Sequence, residues 1–335
     1  MEKDAMSKKS ALALFSGGLD SILAVAWMQK MGHKVHPVCF TAPYITADRA
    51  IESARANGME ITVVDISASH LKMLENPIHG FGKNHNPCID CHGLMFAEAA
   101  KLLPRFGADF LISGEVLGQR PMSQRRNALQ AVDKLSGHAS LIIRPLSQKL
   151  LPDTLPITEG WVDKDQLLDI SGRGRSRQIA LAKELGLSYP GPGGGCLLTD
   201  RSYSLRLREL IKHGQDSEAN IRLLRWGRHF RLNPSLKFIV GRDQADNASL
   251  EAEDYPGLWF LLRDLEGPLG LLTDPEPSPD LISLAASILL YYSKKAPSPA
   301  WVKYGVDRNR WREICVEKCP ESVFRPLLIS LDKDL

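Results

Sequence analysis

The chain has 335 residues, 44% of them hydrophobic and 24% charged, with a formal net charge of +3. That length can bury two cores, no apolar run is long enough to span a bilayer, and the N-terminus leads into a strand instead of a signal-peptide core, so a cytoplasmic chain of more than one domain is expected. Six cysteines are few for a disulfide scaffold of this size, and two of them form a Cys-x-x-Cys, which points to a chemical role.

The first predicted element is a buried strand over 11–15, and it runs directly into Ser16-Gly17-Gly18-Leu19-Asp20-Ser21 and then a helix over 20–31. A strand that ends in small residues and turns at once into a helix offers free backbone N–H groups and a positive helix end to an anion. Phosphate is the expected guest. Gly17 and Gly18 let the chain come close to it, Ser16 and Ser21 add hydroxyl donors, and Asp20 can hold a magnesium ion or orient those donors.

Further strands are predicted over 34–40, 61–66, 109–113 and 141–144, with helices over 45–57, 91–106 and 122–135 between them. This alternation favours an α/β fold, a parallel sheet with helices on both faces, whose ligands lie beyond the carboxyl ends of the strands. Phe40 and Thr41, Asp65 to Ser67, and Ser113, Gly114 and Glu115 are then expected to line the nucleotide site.

Cys88 and Cys91 immediately precede the helix over 91–106, so at least one thiol is expected to be acidified by a helix N-terminus. About a hundred residues later, the loop 189–199 sets three glycines before Cys196. Two ligands from one segment and one from another make an incomplete cage. It suits a [4Fe–4S] cluster with one open iron, a zinc site completed by His85, His92 or water, or a metal-free persulfide and disulfide relay through Cys196. Cys39 reads as a small buried hydrophobe, and Cys315 and Cys319, spaced as in a helix, receive no role.

The first domain is expected to span 1–200. Over 201–232 eight basic side chains face three acidic ones, which reads as a basic helical connector suited to phosphate-backbone contact or as a solvated arginine face. From 233 to 335 short strands (238–240, 257–262, 269–272) and a helix over 279–293 suggest a smaller α+β domain, whose tail interleaves Trp301, Tyr304 and Trp311 with basic residues.

Ser16 to Ser21 resembles the PP-loop of the N-type ATP pyrophosphatases. Together with Ser113 to Gln119, Ser123-Gln124 and Ile143-Arg144-Pro145-Leu146, it is similar to the tRNA thiouridine synthase family, in particular to the catalytic domain of tRNA 4-thiouridine synthase, over residues 11 to about 200. Cys88, Cys91 and Cys196 resemble the cluster ligands of iron–sulfur-dependent tRNA thiolases, and the run Ser171 to Gln178 looks like the same group. Phe238 to Gly241, Arg242, Asn247 and the stretch 259–267 resemble the NFACT-R RNA-binding domain.

This resemblance implies an adenine nucleotide alpha hydrolase-like sheet and ATP-dependent thiolation of tRNA or another RNA, in which a uridine oxygen is adenylated and replaced by sulfur. ATP would be bound by Ser16, Gly17, Gly18, Asp20, Ser21, Phe40, Ser113, Gly114 and Gln119. Asp20 would act with Mg2+, and Cys88, Cys91 and Cys196 would hold the cluster or carry the persulfide. Arg173, Arg175 and Arg177 would meet RNA phosphates. The sulfur donor would be sulfide or a cysteine desulfurase, no membrane is involved, and the oligomeric state is left open. A sulfurtransferase acting on a small molecule and a PP-loop amide synthetase are the competing readings.

Overall fold

The computed structural model describes residues 9–191, 196–307 and 310–331. The chain divides into two compact units, 1–196 and 197–335.

The first unit is built on a five-stranded sheet in the order β3-β2-β1-β4-β5, every neighbouring pair parallel. In chain order its elements are β1 Ala11–Leu14, α1 Leu19–Lys30, β2 Val35–Thr41, α2 Asp48–Ala56, β3 Thr62–Asp65, α3 Ser67–Glu75, α4 Cys88–Phe106, β4 Phe110–Ser113, α5 Arg126–Ser136, β5 Ile142–Ile143, α6 Leu155–Thr158 and α7 Ser176–Glu184. Strand β1 is apolar throughout because both of its faces are covered. Ala11 and Ala13 point into a core with Ile22, Val25 and Met28 of α1, whereas Leu12 joins Phe96 and Ala99 of α4 and Val132 of α5. Each fully buried large side chain here contributes roughly 1.5–3 kcal/mol.

The second unit carries a six-stranded antiparallel sheet in the order β11-β10-β8-β9-β7-β6. Its elements are α8 Arg201–Lys212, α9 Glu218–Leu223, β6 Arg228–Asn233, β7 Leu236–Val240, α10 Gln244–Ala252, β8 Leu258–Leu262, β9 Gly270–Leu272, α11 Pro279–Tyr291, β10 Ala300–Gly305, β11 Arg312–Val316 and α12 Glu321–Phe324. The period-2 alternation sends Phe238, Val240 and Phe260 into a core with Leu289 of α11, and sends Ile239, Trp259 and Leu271 to the other face, where Leu223 and Leu250 meet them.

The basic segment 201–232 lies in this second unit and not in a separate connector. Much of its charge is consumed internally: Arg231 pairs with Glu209 at 2.5 Å, Arg206 Nη1 donates to the Gly227 carbonyl, and the Arg228 guanidinium sits over the Tyr292 ring. Cys315 and Cys319 are not on one helix. Cys315 is exposed on β11 opposite Trp301, and Cys319 is buried in the core, because the 312–316 run pairs as a strand. Among the described residues no helix is long and apolar enough to cross a membrane.

Candidate nucleotide and thiol site

Strand β1 ends at Leu14, and Gly17, at φ +69°, turns the chain so that Gly18 becomes the N-cap of α1 with no side chain closing the cap. A Cβ on Gly17 would stand 2.5 Å from the Arg49 carbonyl oxygen of α2, and Ser53 of the same helix donates to the Gly17 carbonyl at 2.9 Å. The loop is thus clamped from behind while its N–H groups stay available. Ser21 Oγ donates to the Gly18 carbonyl at 2.9 Å, and Ser16 Oγ lies 3.4 Å from both Ser21 Oγ and the Gly18 N–H. An open helix N-terminus with free N–H groups and two hydroxyls beside it is chemistry that suits a phosphate.

Asp20 lies in the first turn of α1, with Oδ2 accepting from Gln119 Nε2 at 2.7 Å and from Arg175 Nη2 at 3.4 Å. Its other oxygen, Oδ1, is buried with no hydrogen-bond partner, which suits a cation ligand. Gln119 is in turn held by the buried Gln178.

The loop after β4 closes the other side. Gly114 has no room for a side chain: a Cβ there would lie 2.4 Å from the Asp20 carbonyl carbon and 2.5 Å from the Ser21 nitrogen. Its neighbour Glu115 accepts from Ser113 Oγ at 3.1 Å and from Arg144 Nε at 2.9 Å, and pairs with His92 Nδ1 at 2.7 Å. Arg144 continues the chain to Asp133 at 2.7 Å. Burial alone would raise the Glu115 carboxyl, but Arg144 and His92 outweigh it and hold it at about 2. The Asp20 backbone, Gly114, Glu115 and His92 therefore connect the 16–21 loop to the first turns of α4, where Cys88 and Cys91 lie.

Helix α4 begins at Cys88, three residues before the predicted start, so both thiols of the pair lie on the helix. Asn86 Nδ2 donates to Cys88 Sγ at 3.1 Å, and Asp90 caps the preceding loop through the N–H groups of Ile78 and His79. Cys91 Sγ lies 3.1 Å from Nε2 of the fully buried His70, whose Nδ1 meets the Tyr44 hydroxyl. Burial pulls His70 down to about 4, so the ring is neutral near pH 7. The Tyr44 hydroxyl and the Cys91 sulfur thus engage the two nitrogens of this neutral ring.

Of the two thiols, at least one of which is expected to be acidified, Cys91 is not that one. Burial pushes this thiol well above its ordinary value, and the neighbouring Cys196, Cys88 and Asp90 push it further. The helix end is outweighed because the thiol is buried against other acidic groups. The same interactions bring Cys88, Cys91 and Cys196 within electrostatic reach of one another, although among the described residues no three His, Cys, Asp or Glu side chains form a ready-made metal cage. Three thiol donors are the right chemistry for an iron–sulfur group or another soft metal. The glycines 193–195 ahead of Cys196 lie outside the described residues.

Other predicted residues stand elsewhere. Phe40 is buried in the α4-side core with Leu12 and Phe96. Of the three arginines, Arg173 is exposed, Arg177 pairs with Asp169 at 2.6 Å on the surface, and Arg175 reaches the 16–21 loop through Asp20. Sequence reading missed Tyr44, His70, Gln178 and Arg49, whose guanidinium donates to the Gly191 carbonyl at 3.2 Å. None of these four carries a local motif, and only Gln178 lies in a run already singled out. Cys39 is buried as expected, its thiol raised to about 11 by burial.

Residues 6–149 match the family described as Thiamine biosynthesis protein (ThiI), and residues 227–325 match the NFACT protein RNA binding domain. The probable tRNA sulfurtransferase of Methanosarcina mazei is 34% identical over 117 residues, 32% of this chain and 28% of that protein. The probable tRNA sulfurtransferase of Caldanaerobacter subterraneus subsp. tengcongensis is 28% identical over 180 residues, 51% of this chain and 42% of that protein. The chain thus spans less than half the length of either relative. Among solved structures, a 4-thiouridine synthetase–RNA complex with bound ATP aligns at 20% identity and a TM-score of 0.33, over 53% of this chain and 51% of that one.

Proposed function

We propose that this chain, in which a ThiI-family domain over residues 6–149 is joined to an NFACT-type domain over 227–325, is an ATP-dependent RNA sulfurtransferase acting on tRNA. The observation that carries the reading is the continuity of the two halves of the chemistry. The Asp20 and Ser21 backbone packs on Gly114, the next residue binds His92, and His92 follows Cys91 on α4.

A pyrimidine carbonyl oxygen leaves poorly as oxide, so its replacement by sulfur begins with activation. The base oxygen attacks the α-phosphorus of ATP, the bond to pyrophosphate breaks, and the oxygen becomes part of AMP. The open N–H groups at the start of α1 and the hydroxyls of Ser16 and Ser21 take the phosphate oxygens, where the charge grows during transfer. Asp20, with its unpartnered Oδ1, would hold Mg2+, whose role is to neutralise that charge. Sulfur at the oxidation level of sulfide then adds to the activated carbon, and AMP departs with the oxygen, so no electrons are exchanged.

Cys88, Cys91 and Cys196 are the sulfur-handling residues. They would hold a [4Fe–4S] cluster, which when bound supplies an open iron for an external sulfide. Asn86 donates a hydrogen bond to the Cys88 sulfur, and His70 Nε2 is hydrogen-bonded to the Cys91 sulfur, so that both directions are fixed. In the metal-free alternative Cys196 or Cys91 carries a persulfide, and closing a disulfide with another thiol releases the sulfur. Arg173 and Arg177 are the surface cations of this unit proposed to meet RNA phosphates.

The test is pyrophosphate release from ATP with and without tRNA, followed by mass spectrometry of the nucleosides after incubation with sulfide under anaerobic conditions. Release that requires tRNA, together with a thiolated nucleoside, supports the proposal. Release that tRNA does not influence refutes it in favour of a small-molecule acceptor. Iron and acid-labile sulfide in anaerobically purified protein, lost in each of C88A, C91A and C196A, supports the cluster, and their absence after reconstitution favours the persulfide.

A further inference from the structure

We propose that Arg175, held against the nucleotide loop by the first turn of α7, is a phosphate-binding residue of that loop and exchanges its Asp20 partner for a triphosphate oxygen. The inference rests on the ATP reading above and deepens it, because it takes Arg175 from the RNA surface, where its sequence neighbours place it, into the nucleotide site.

Three buried polar atoms without partners lie on one hydrogen-bonded group of side chains: Asp20 Oδ1, Arg175 Nε and Gln178 Oε1. Gln178 is fully buried and bonded through its other amide atom to Gln119, which is bonded to Asp20. Whichever way that amide is set, one of its polar ends is left over. Native proteins leave few buried polar atoms unpaired, and three on one network at the mouth of a phosphate cradle mark the place of a polar, charged ligand.

The charge balance points the same way. Ser16 to Ser21 contains no cation, unlike phosphate loops that carry their own lysine, so a triphosphate with one magnesium ion is left with net negative charge. Arg175 is the guanidinium that bonds to this loop's aspartate. Its contact with Asp20, 3.4 Å, is longer than the usual 2.7–2.9 Å of a charge-assisted bond, and its Nε is unused. The guanidinium therefore has donors to offer, and Asp20 is freed for a metal ion when Arg175 turns to phosphate.

Arg175 is also held on rigid supports. Gly172 N–H donates to the Leu117 carbonyl at 2.8 Å, Ser171 bridges to Leu117 as a parallel strand residue, and Ala182 of α7 packs with Leu19 and Leu23 of α1. The residue stands as N-cap of α7, so its backbone is fixed while its side chain is free to reorient. Two positions away on either side, Arg173 is exposed and Arg177 is engaged by Asp169 instead.

The test compares binding of a non-hydrolysable Mg-ATP analogue and of adenosine to the full-length wild-type protein and to R175A, R175K and Q178L, by calorimetry. One charged hydrogen-bonding pair corresponds to about a ten- to hundredfold change in affinity. R175A is expected to lose roughly that factor for the triphosphate and nothing for adenosine, with partial recovery in R175K. Equal losses for both ligands would mean a structural role and overturn the inference. So would unchanged triphosphate affinity, including the case in which R175A loses only RNA affinity. A wild-type protein that binds no triphosphate overturns the inference and the proposed function together, whereas normal wild-type binding with an unaffected R175A overturns the inference alone.

Discussion

Replacing Gly114 by alanine tests whether the β4 loop and the first turn of α1 form one rigid cradle. The added Cβ would stand 2.4 Å from the Asp20 carbonyl carbon, 2.5 Å from its oxygen and 2.5 Å from the Ser21 nitrogen. Ordinary van der Waals contact begins at 3.4 Å, so the helix start and the loop must separate by about 1 Å, a shift that would stretch an N–H···O bond of ~2.9 Å beyond hydrogen-bonding distance. The atoms in the way are backbone, so no side-chain rotation relieves them. Overpacking of this kind costs about 1–3 kcal/mol of stability. Losing even one bond to a charged phosphate costs about 1.5–3 kcal/mol in binding, which predicts a loss of nucleotide affinity of at least roughly tenfold. The assay is calorimetric titration with Mg-ATP analogue, beside urea unfolding of the same sample. Gly58 serves as the control: it has φ +63° and open space around its missing Cβ, so G58A should cost about 1–2 kcal/mol of stability and leave nucleotide binding intact. A G114A protein that binds nucleotide as tightly as wild type would refute the rigid cradle.

Three other outcomes follow from the same geometry. Y44F removes the hydroxyl from the buried His70 Nδ1 and should cost about 1–3 kcal/mol in urea unfolding, and an unchanged midpoint would show that the pair contributes nothing. Lys237 is buried beside Glu209, and burial lowers its pKa to about 8 despite that carboxylate. The unfolded chain keeps this proton up to the ordinary value near 10.5 while the folded state has already released it, so the wild type should gain stability relative to K237M as pH rises from 8 towards 10.5, by at most about 3 kcal/mol; parallel pH profiles would refute this. The double variant R173A/R177A should weaken tRNA binding and flatten its salt dependence without lowering stability, since the Arg177–Asp169 pair is exposed and worth little; unchanged binding at several salt concentrations removes both arginines from the RNA surface.

Much of the first unit was legible because its strands are buried on both faces. Runs such as Ala11 to Leu14 and Phe110 to Ile112 have no polar position to confuse the period, and the loop after β1 announces itself by Gly17 and Gly18. The second unit was harder. Strands β6, β10 and β11 carry Arg228, Arg231, Lys303 and Arg312, and their charges are absorbed by Glu209, by the Tyr292 ring and by solvent, so a count of basic residues reads as a connector or a tail what is partly a sheet. Helix α7 is short and polar, and nothing in its sequence tells that Arg175 turns inward while Arg177 turns out. His70 was invisible for a similar reason. Its meaning comes from Cys91, 21 residues later, and from Tyr44, 26 residues earlier, and no local pattern encodes such a meeting.

The buried chain His92, Glu115, Arg144 and Asp133 bears on any attempt to make this protein more heat-resistant. A designer optimising the core would be drawn to exchange Glu115 and Arg144 for leucine and methionine, because well-packed apolar side chains often match or exceed a buried ion pair in stability. The redesigned chain could melt higher and still lose the arrangement of the candidate site. Nothing would then anchor His92 beside Cys91, or hold the segment after Gly114 against the start of α1. Temperature selection alone would reward that exchange, and only a screen that also scores the function proposed above would retain the four side chains.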